Sequence, residues 1–321
     1  MDKVVKTDGR ADHGEQTSPG GESMQSKVDA LVRLLDVERL DLNLFRGAAS
    51  HEPRPRVFGG QVAGQALISA IRTVAAESER APHSLHAYFL RPGDPNVPII
   101  FDVERIRDGR SFTTRRVVAI QQGEAILNMA VSFQRHEEGL SHQQAMPEVA
   151  PPEACMTWSE YVGPWVARVR ERDPVAAEYL GRRRPIAMRP VNPMNLAQPE
   201  PGGMFQYYWM RADGVLPDDP LMHAALAAYA SDHNLLSVAM RPHGLTPHQS
   251  GVMAASLDHA VWFHSDFRMD EWLLYAQHSP VSGQSRGLGL GHLYTRAGRL
   301  VASVCQEGLM RISTTRSESS R

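Results

Sequence analysis

The sequence predicts an α+β protein of two fused modules, each a long central helix wrapped by an antiparallel sheet. Three observations predict it: an ordered set of segments that occurs twice, a helical apolar period in one segment of each set, and a two-residue alternation in others. The first set runs Val57-Phe58-Gly59-Gly60-Gln61, Ser84-Leu85-His86-Ala87-Tyr88-Phe89, two strands, and a strand led by Gly123 that ends at Ser132-Phe133-Gln134. The second keeps that order. It has a helix through Ala224 to Val238 containing Asp232, then Ser256-Leu257-Asp258-His259-Ala260-Val261-Trp262, a strand near Trp272 to Tyr275, and a strand led by Gly298 that ends at Gln306-Glu307-Gly308. The copies lie roughly 170 residues apart, about the length of one domain.

Taken in order, residues 1–26 lack an apolar run and predict a disordered tail. The first module is expected over 27–135. Val62, Ala66, Leu67, Ala70, Ile71 and Val74 fall on one helical face, which predicts a helix with that face buried. Ala125, Leu127, Met129, Val131 and Phe133 alternate with Ile126, Asn128, Ala130, Ser132 and Gln134, the period of a strand. Residues 136–202 hold prolines from Pro147 to Pro201, a density that breaks regular structure and predicts a long connection, with a short helix allowed around Thr157 to Arg170. The second module is expected over 203–313, where Leu300, Ala302, Val304 and Gln306 alternate with Val301, Ser303 and Cys305. Asp108-Gly109 and Ala297-Gly298 mark turns, and residues 314–321 form a polar tail.

Composition narrows the function. A 321-residue chain that is 42% hydrophobic can bury two modest cores. A formal charge of -2 gives no electrostatic case for nucleic acid or an anionic membrane surface. No stretch reaches the roughly 18 apolar residues of a membrane span. Cys155 and Cys305, the only cysteines, are far apart, so a disulfide framework is not expected and the cytoplasm is the default compartment.

The strings VFGGQVAGQAL from Val57, SLHAYFLRPGD from Ser84, ASLDHAVWFH from Ala255, SRGLGLGHLY from Ser285 and VCQEGLMR from Val304 resemble the acyl-CoA thioesterase II family in order and spacing, from about Val28 to Ile312. The resemblance implies a double hotdog fold and hydrolysis of acyl-CoA to fatty acid and CoA without a cofactor. It further implies an Asp, a Thr or Ser, and a Gln that hold the attacking water. Residue by residue these fall on Asp232, Ser256 and Gln306; Ser256 keeps the hydroxyl where many members carry Thr. The family commonly assembles into dimers or tetramers, so a homo-oligomer is expected.

Thioester hydrolysis requires a water aimed at the carbonyl carbon, a base for its proton, and donors for the developing oxyanion. Asp232 is the candidate base, and Ser256 and Gln306 can each donate and accept hydrogen bonds to the water. A helix N-terminus at Gly59 and Gly60 is a candidate source of oxyanion amides. Gly59, Gly60, Gln61, His259 and Arg286 are the candidate substrate contacts. Arg91, Arg105, Arg107, Arg110, Arg115, Arg116 and Arg286 are candidates for a basic rim that meets the CoA phosphates.

Three other readings compete. His83 with His86, and His259 with His264, lack the frame of a helical metal site and alternate faces on a strand, so no metal is expected. Gly283-Gln284-Ser285-Arg286-Gly287 matches the GxSxG nucleophile elbow. No acid lies between Ser285 and His292, the only later histidine, and the glycines resist the required helix, so a glycine-bearing hairpin is expected instead. A non-catalytic acyl-CoA binding protein of the same fold is the remaining alternative.

Overall fold

The computed structural model describes residues 23–312, apart from 248 and 250. In chain order the elements are α1 (Met24–Leu35), β1 (Val37–Arg39), β2 (Leu44–Gly47), α2 (Gly59–Ile71), β3 (Arg80–Phe89), β4 (Ile99–Asp108), β5 (Phe112–Gln121) and β6 (Glu124–Arg135). There follow α3 (Trp158–Arg170), α4 (Pro174–Gly181), β7 (Ile186–Pro190), β8 (Phe205–Ala212), α5 (Pro220–Ser231), α6 (Leu235–Met240), β9 (Val252–Ser256), β10 (Asp258–Phe263), β11 (Leu273–Gly283), β12 (Arg286–Thr295) and β13 (Leu300–Ile312). Local chemistry explains several boundaries. Ser23 caps α1, Thr157 and Glu160 form a reciprocal capping box on α3, and Asp219 with Pro220 opens α5.

The strands form one antiparallel sheet in the order β1-β2-β4-β5-β6-β3-β10-β13-β12-β11-β8-β7, with β9 also on β13. The module boundary is the β3/β10 pair at its middle. There Ala87 faces His259 and Ala260 faces His86, so the two strands exchange equivalent positions about a local two-fold. The sheet curls so that α2 and α5 share one interior. Gly60 comes against the carbonyl of Tyr229 and Gly64 against that of Ala225, which makes the helices antiparallel.

This contact corrects one expectation of the periodicity. A single buried face is expected for α2, yet every residue from Gly60 to Ala70 is buried, because the helix has sheet on one side and α5 on the other. The helix expected through Ala224 to Val238 is two helices, broken at Asp232, His233 and Asn234. Asn234 takes a left-handed φ of 61°, which a short polar side chain tolerates.

The connection expected over 136–202 is more ordered than its prolines suggest. Pro164 lies inside α3, Pro174 begins α4, and the segment also supplies β7, an edge strand where prolines are admissible. Of the N-terminal tail, residues 1–22 lie outside the described residues, whereas Met24 to Ser26 are helical. The C-terminal tail, 314–321, also lies outside them. Among the described residues no helix is long and apolar enough to cross a membrane.

Gly283 to Gly287 is the predicted hairpin. Gly283 pairs with Arg286 across a two-residue turn in which Gln284 and Ser285 have φ of 51° and 59°. Ser285 is exposed at the tip, where a nucleophile elbow has no helix to follow it.

Candidate active site

The antiparallel packing of α2 and α5 sets the positive N-terminal end of one helix beside the negative C-terminal end of the other. Asp232, the C-cap of α5, sits at that junction. Its Oδ2 accepts the Gly60 backbone amide at 2.8 Å, and its Oδ1 accepts the Gln306 side-chain amide at 2.7 Å. Ser256 also lowers this carboxyl by hydrogen bonding, the smallest of the effects named for it. The three polar residues singled out in the sequence therefore converge, although they come from α5, the end of β9 and β13. Ser256 is the last residue of β9, at the bend into β10.

Burial pushes the Asp232 carboxyl up to about 6, against the lowering effects of Gln306, the Gly60 amide, Arg54 and Ser256. The carboxylate thus titrates near neutrality, where a base for water works best.

His259 holds Gln306 in one orientation. The ring is fully buried at the centre of the joined sheets, and burial lowers its pKa to about 4, so it is neutral near pH 7. Its Nδ1 lies 3.2 Å from Gln306 Nε2 and its Nε2 lies 2.9 Å from the Ser231 hydroxyl. A carboxylate can only accept, so Gln306 turns Nε2 toward Asp232 and gives its other N–H to His259 Nδ1. His259 Nε2–H then donates to Ser231, whose hydroxyl reaches the Ala228 carbonyl at 3.2 Å. Gln306 Oε1 remains a buried acceptor that no protein group satisfies among the described residues.

The other candidate contacts divide. Gly59 borders the site, since a Cβ there would lie 2.9 Å from Asp232 Oδ2. Gly60 gives its amide to Asp232 rather than to an oxyanion. Gln61 is buried and donates to the Ala48 carbonyl at 3.2 Å, tying the preceding loop to α2, and His259 is buried against Gln306. Arg286 pairs with Glu307 at 2.9 Å, next to Gln306 in sequence. Arg115 is removed from any rim: it is 1% exposed, bonded to Thr73 at 2.8 Å and paired with Asp108. Of the four histidines weighed as metal ligands, His83 and His264 bond to Ser132 and Ser303, each at 2.8 Å, and among the described residues no group of His, Cys, Asp or Glu has metal-site geometry.

Two features of the site had no clear signal in the sequence. Ser231 is hidden in an alanine-rich helix, and its hydrogen bond crosses 28 residues of chain to His259. Arg54, which lowers the Asp232 carboxyl, sits in a loop of prolines and charges.

The fold is that of a double hotdog protein: two modules around paired helices, with one part-buried carboxylate, Asp232, at their junction. A family model described as acyl-CoA thioesterase matches residues 183–309, and one described as acyl-CoA thioesterase N-terminal domain matches residues 48–134. The human protein acyl-coenzyme A thioesterase 8 is 39% identical over 311 residues, covering 95% of each chain. Acyl-CoA thioesterase 2 of Haemophilus influenzae is 37% identical over 294 residues, covering 90% of this chain and 100% of that one. The crystal structure of acyl-CoA thioesterase II TesB2 from Mycobacterium marinum superposes with a TM-score of 0.71 at 43% identity, covering 88% of this chain and 99% of that one. A hot dog fold protein from Alicyclobacillus acidocaldarius superposes with a TM-score of 0.70 at 21% identity, over 88% of this chain and 98% of its own, a likeness of fold alone. The chain belongs to the acyl-CoA thioesterase family.

Proposed function

We propose that this protein hydrolyses acyl-CoA to a free acid and CoA by direct attack of a water held by Asp232, Ser256 and Gln306. One observation carries the reading: a carboxylate that titrates near 6 lies beside a buried amide oxygen, Gln306 Oε1, that no protein group satisfies. A water between them gives one hydrogen to Asp232 and the other to Gln306 Oε1, which turns an oxygen lone pair toward the thioester. Asp232 takes the water proton as the oxygen attacks the carbonyl carbon. The carbon–sulfur bond then breaks, and the proton passes from Asp232 to the departing thiolate. Ser256 steadies the carboxylate and the water by hydrogen bonding, and no covalent enzyme intermediate forms.

The test is thiol release from a chain-length series of acyl-CoAs. Saturable binding of every ester without release would select the non-catalytic alternative. A pH profile adds a second check. The base acts only when ionised, so kcat/KM should rise about tenfold per pH unit below 6 and level off above it. A flat profile down to pH 4 would remove a carboxylate of this pKa from the mechanism. Ser285→Ala should leave kcat/KM within a few fold; complete loss would restore a covalent serine mechanism.

A further inference from the structure

Asp232 sits in a short break between α5 and α6, where the last carbonyls of α5 have no partner within their own helix. The sheet beneath supplies partners from two strands. Tyr275 on β11 is fully buried, and its hydroxyl donates to the Ser231 carbonyl at 2.9 Å, one residue before Asp232. Its ring lies against Gly291 of β12, where a Cβ would stand 2.3 Å away, so the approach needs a glycine there. Burial and the Asp232 carboxylate together hold the Tyr275 phenol well above its ordinary pKa, and it stays a donor. Two residues after Asp232 a second support begins. Gln206 on β8 donates through Nε2 to Ser237 Oγ at 2.9 Å, and that hydroxyl donates in turn to the Asn234 carbonyl. The same Nε2 gives its other N–H to Gln277 Oε1 at 2.8 Å, directly opposite across the β8/β11 pair.

Gln206 and Gln277 are both buried. Two glutamine amides side by side in a core add little net stability, because apolar side chains of the same shape would fill the space without a polar cost. What the amides add is direction, which an apolar contact lacks. We propose that Tyr275, with the pair Gln206 and Gln277, acts as a set of positioning residues for Asp232. They clamp the chain at Ser231 and Asn234, on either side of the carboxylate, so that it meets the Gly60 amide and Gln306 together. The effect on rate rests on the thioesterase reading above; the clamp itself does not.

The experiment measures kcat and KM with the best substrate of the chain-length series, and backbone amide exchange by NMR, in the wild type, in Tyr275→Phe, and in Gln206→Met combined with Gln277→Met. The combined variant replaces both partners of a buried pair by apolar groups of similar size, so it carries the test should Tyr275→Phe fail to fold. Each variant should lower kcat about fivefold or more with KM within about twofold, the scale of one neutral buried hydrogen bond felt at the reacting group. Gly60 supplies a readout that a merely structural role would not move. Its amide, second in α2, has no acceptor within the helix and bonds Asp232 Oδ2 at 2.8 Å. Exchange of that amide should quicken about fivefold or more in each variant, while the amides of Ala66 to Ala70 keep their wild-type rates. An unchanged kcat in both variants, a loss that lies in KM, or exchange that quickens equally along α2 would overturn the proposal. Wild-type kcat in one variant alone would strike its residues from the clamp. With no hydrolysis of any ester by the wild type, the thioesterase reading fails by itself. Gly60 exchange then decides: selective quickening supports the clamp, and an unchanged or uniform rate overturns it.

Discussion

Asp232→Asn should cut kcat by about a hundredfold or more while the protein remains folded, the usual scale for removal of a general base. The amide keeps the shape of the carboxylate but cannot take a proton from water. It also cannot accept from both the Gly60 amide and Gln306 as the carboxylate does, so Gln306 loses the partner that fixes its orientation. Stability should move the other way. A carboxyl whose folded pKa of about 6 exceeds its ordinary 3.8 favours the folded state when protonated, and that contribution is lost as pH rises through 6. At pH 8 the wild type therefore bears the cost of a buried charge that Asn does not carry. Thermal unfolding at pH 8 should place the variant no lower than the wild type, while single-turnover kinetics show the loss in chemistry. Near-normal turnover would remove Asp232 from the mechanism, and a large drop in Tm would mean that the carboxylate serves the fold instead.

Gly60→Ala should lower both stability and activity. In an open helix interior, replacing glycine by alanine stabilises by roughly 0.5–1 kcal/mol. Here the added Cβ would stand 2.3 Å from the Tyr229 carbonyl oxygen and 2.5 Å from the Phe58 ring, so α2 and α5 must separate. Overpacking of this kind costs about 1–3 kcal/mol. Separation also draws the Gly60 amide away from Asp232, where the two modules meet at the site. Thermal unfolding and kcat measured on one preparation test both effects, and a raised Tm with full activity would mean that the helices do not approach this closely. Gly123→Ala is the contrast. Gly123 has a φ of 82° with no neighbour within 4 Å of a Cβ, so that substitution should strain the turn between β5 and β6 without displacing a neighbour and leave kcat near the wild-type value.

Much of the architecture was legible because secondary structure is written in periods that local residues carry. The alternation from Ala125 to Gln134 lies within β6, and that from Leu300 to Gln306 within β13. The same signals failed where context overrode them. Proline density hid α4 and β7, whereas the helix allowed around Thr157 to Arg170 is α3, where a capping box at Thr157 outweighs one internal proline. The alanine-rich run through Asp232 concealed the break at Asn234, where the chain turns so that α6 packs on β12. Gly289 permits that approach, because any Cβ there would meet the Leu235 carbonyl at 2.8 Å.

Asp232, Ser256 and Gln306 were nameable from motif order. Periodicity could not have chosen them, since an aspartate, a serine and a glutamine have ordinary structural uses. Arg115 shows the reverse failure: it reads as surface charge among neighbouring arginines, yet its guanidinium crosses 42 residues of chain to a buried threonine.

The sequence by itself determined the two repeated modules, their helical and strand periods, and the residue types able to hold a water. Those properties depend on neighbours a few positions away. Only the tertiary structure decided that the Gly60 amide, 172 residues from Asp232, and the Gln306 amide, 74 residues from it, would meet one carboxylate. It also decided that burial would raise that carboxylate to about 6, because desolvation and charge depend on surroundings that the folded chain alone assembles.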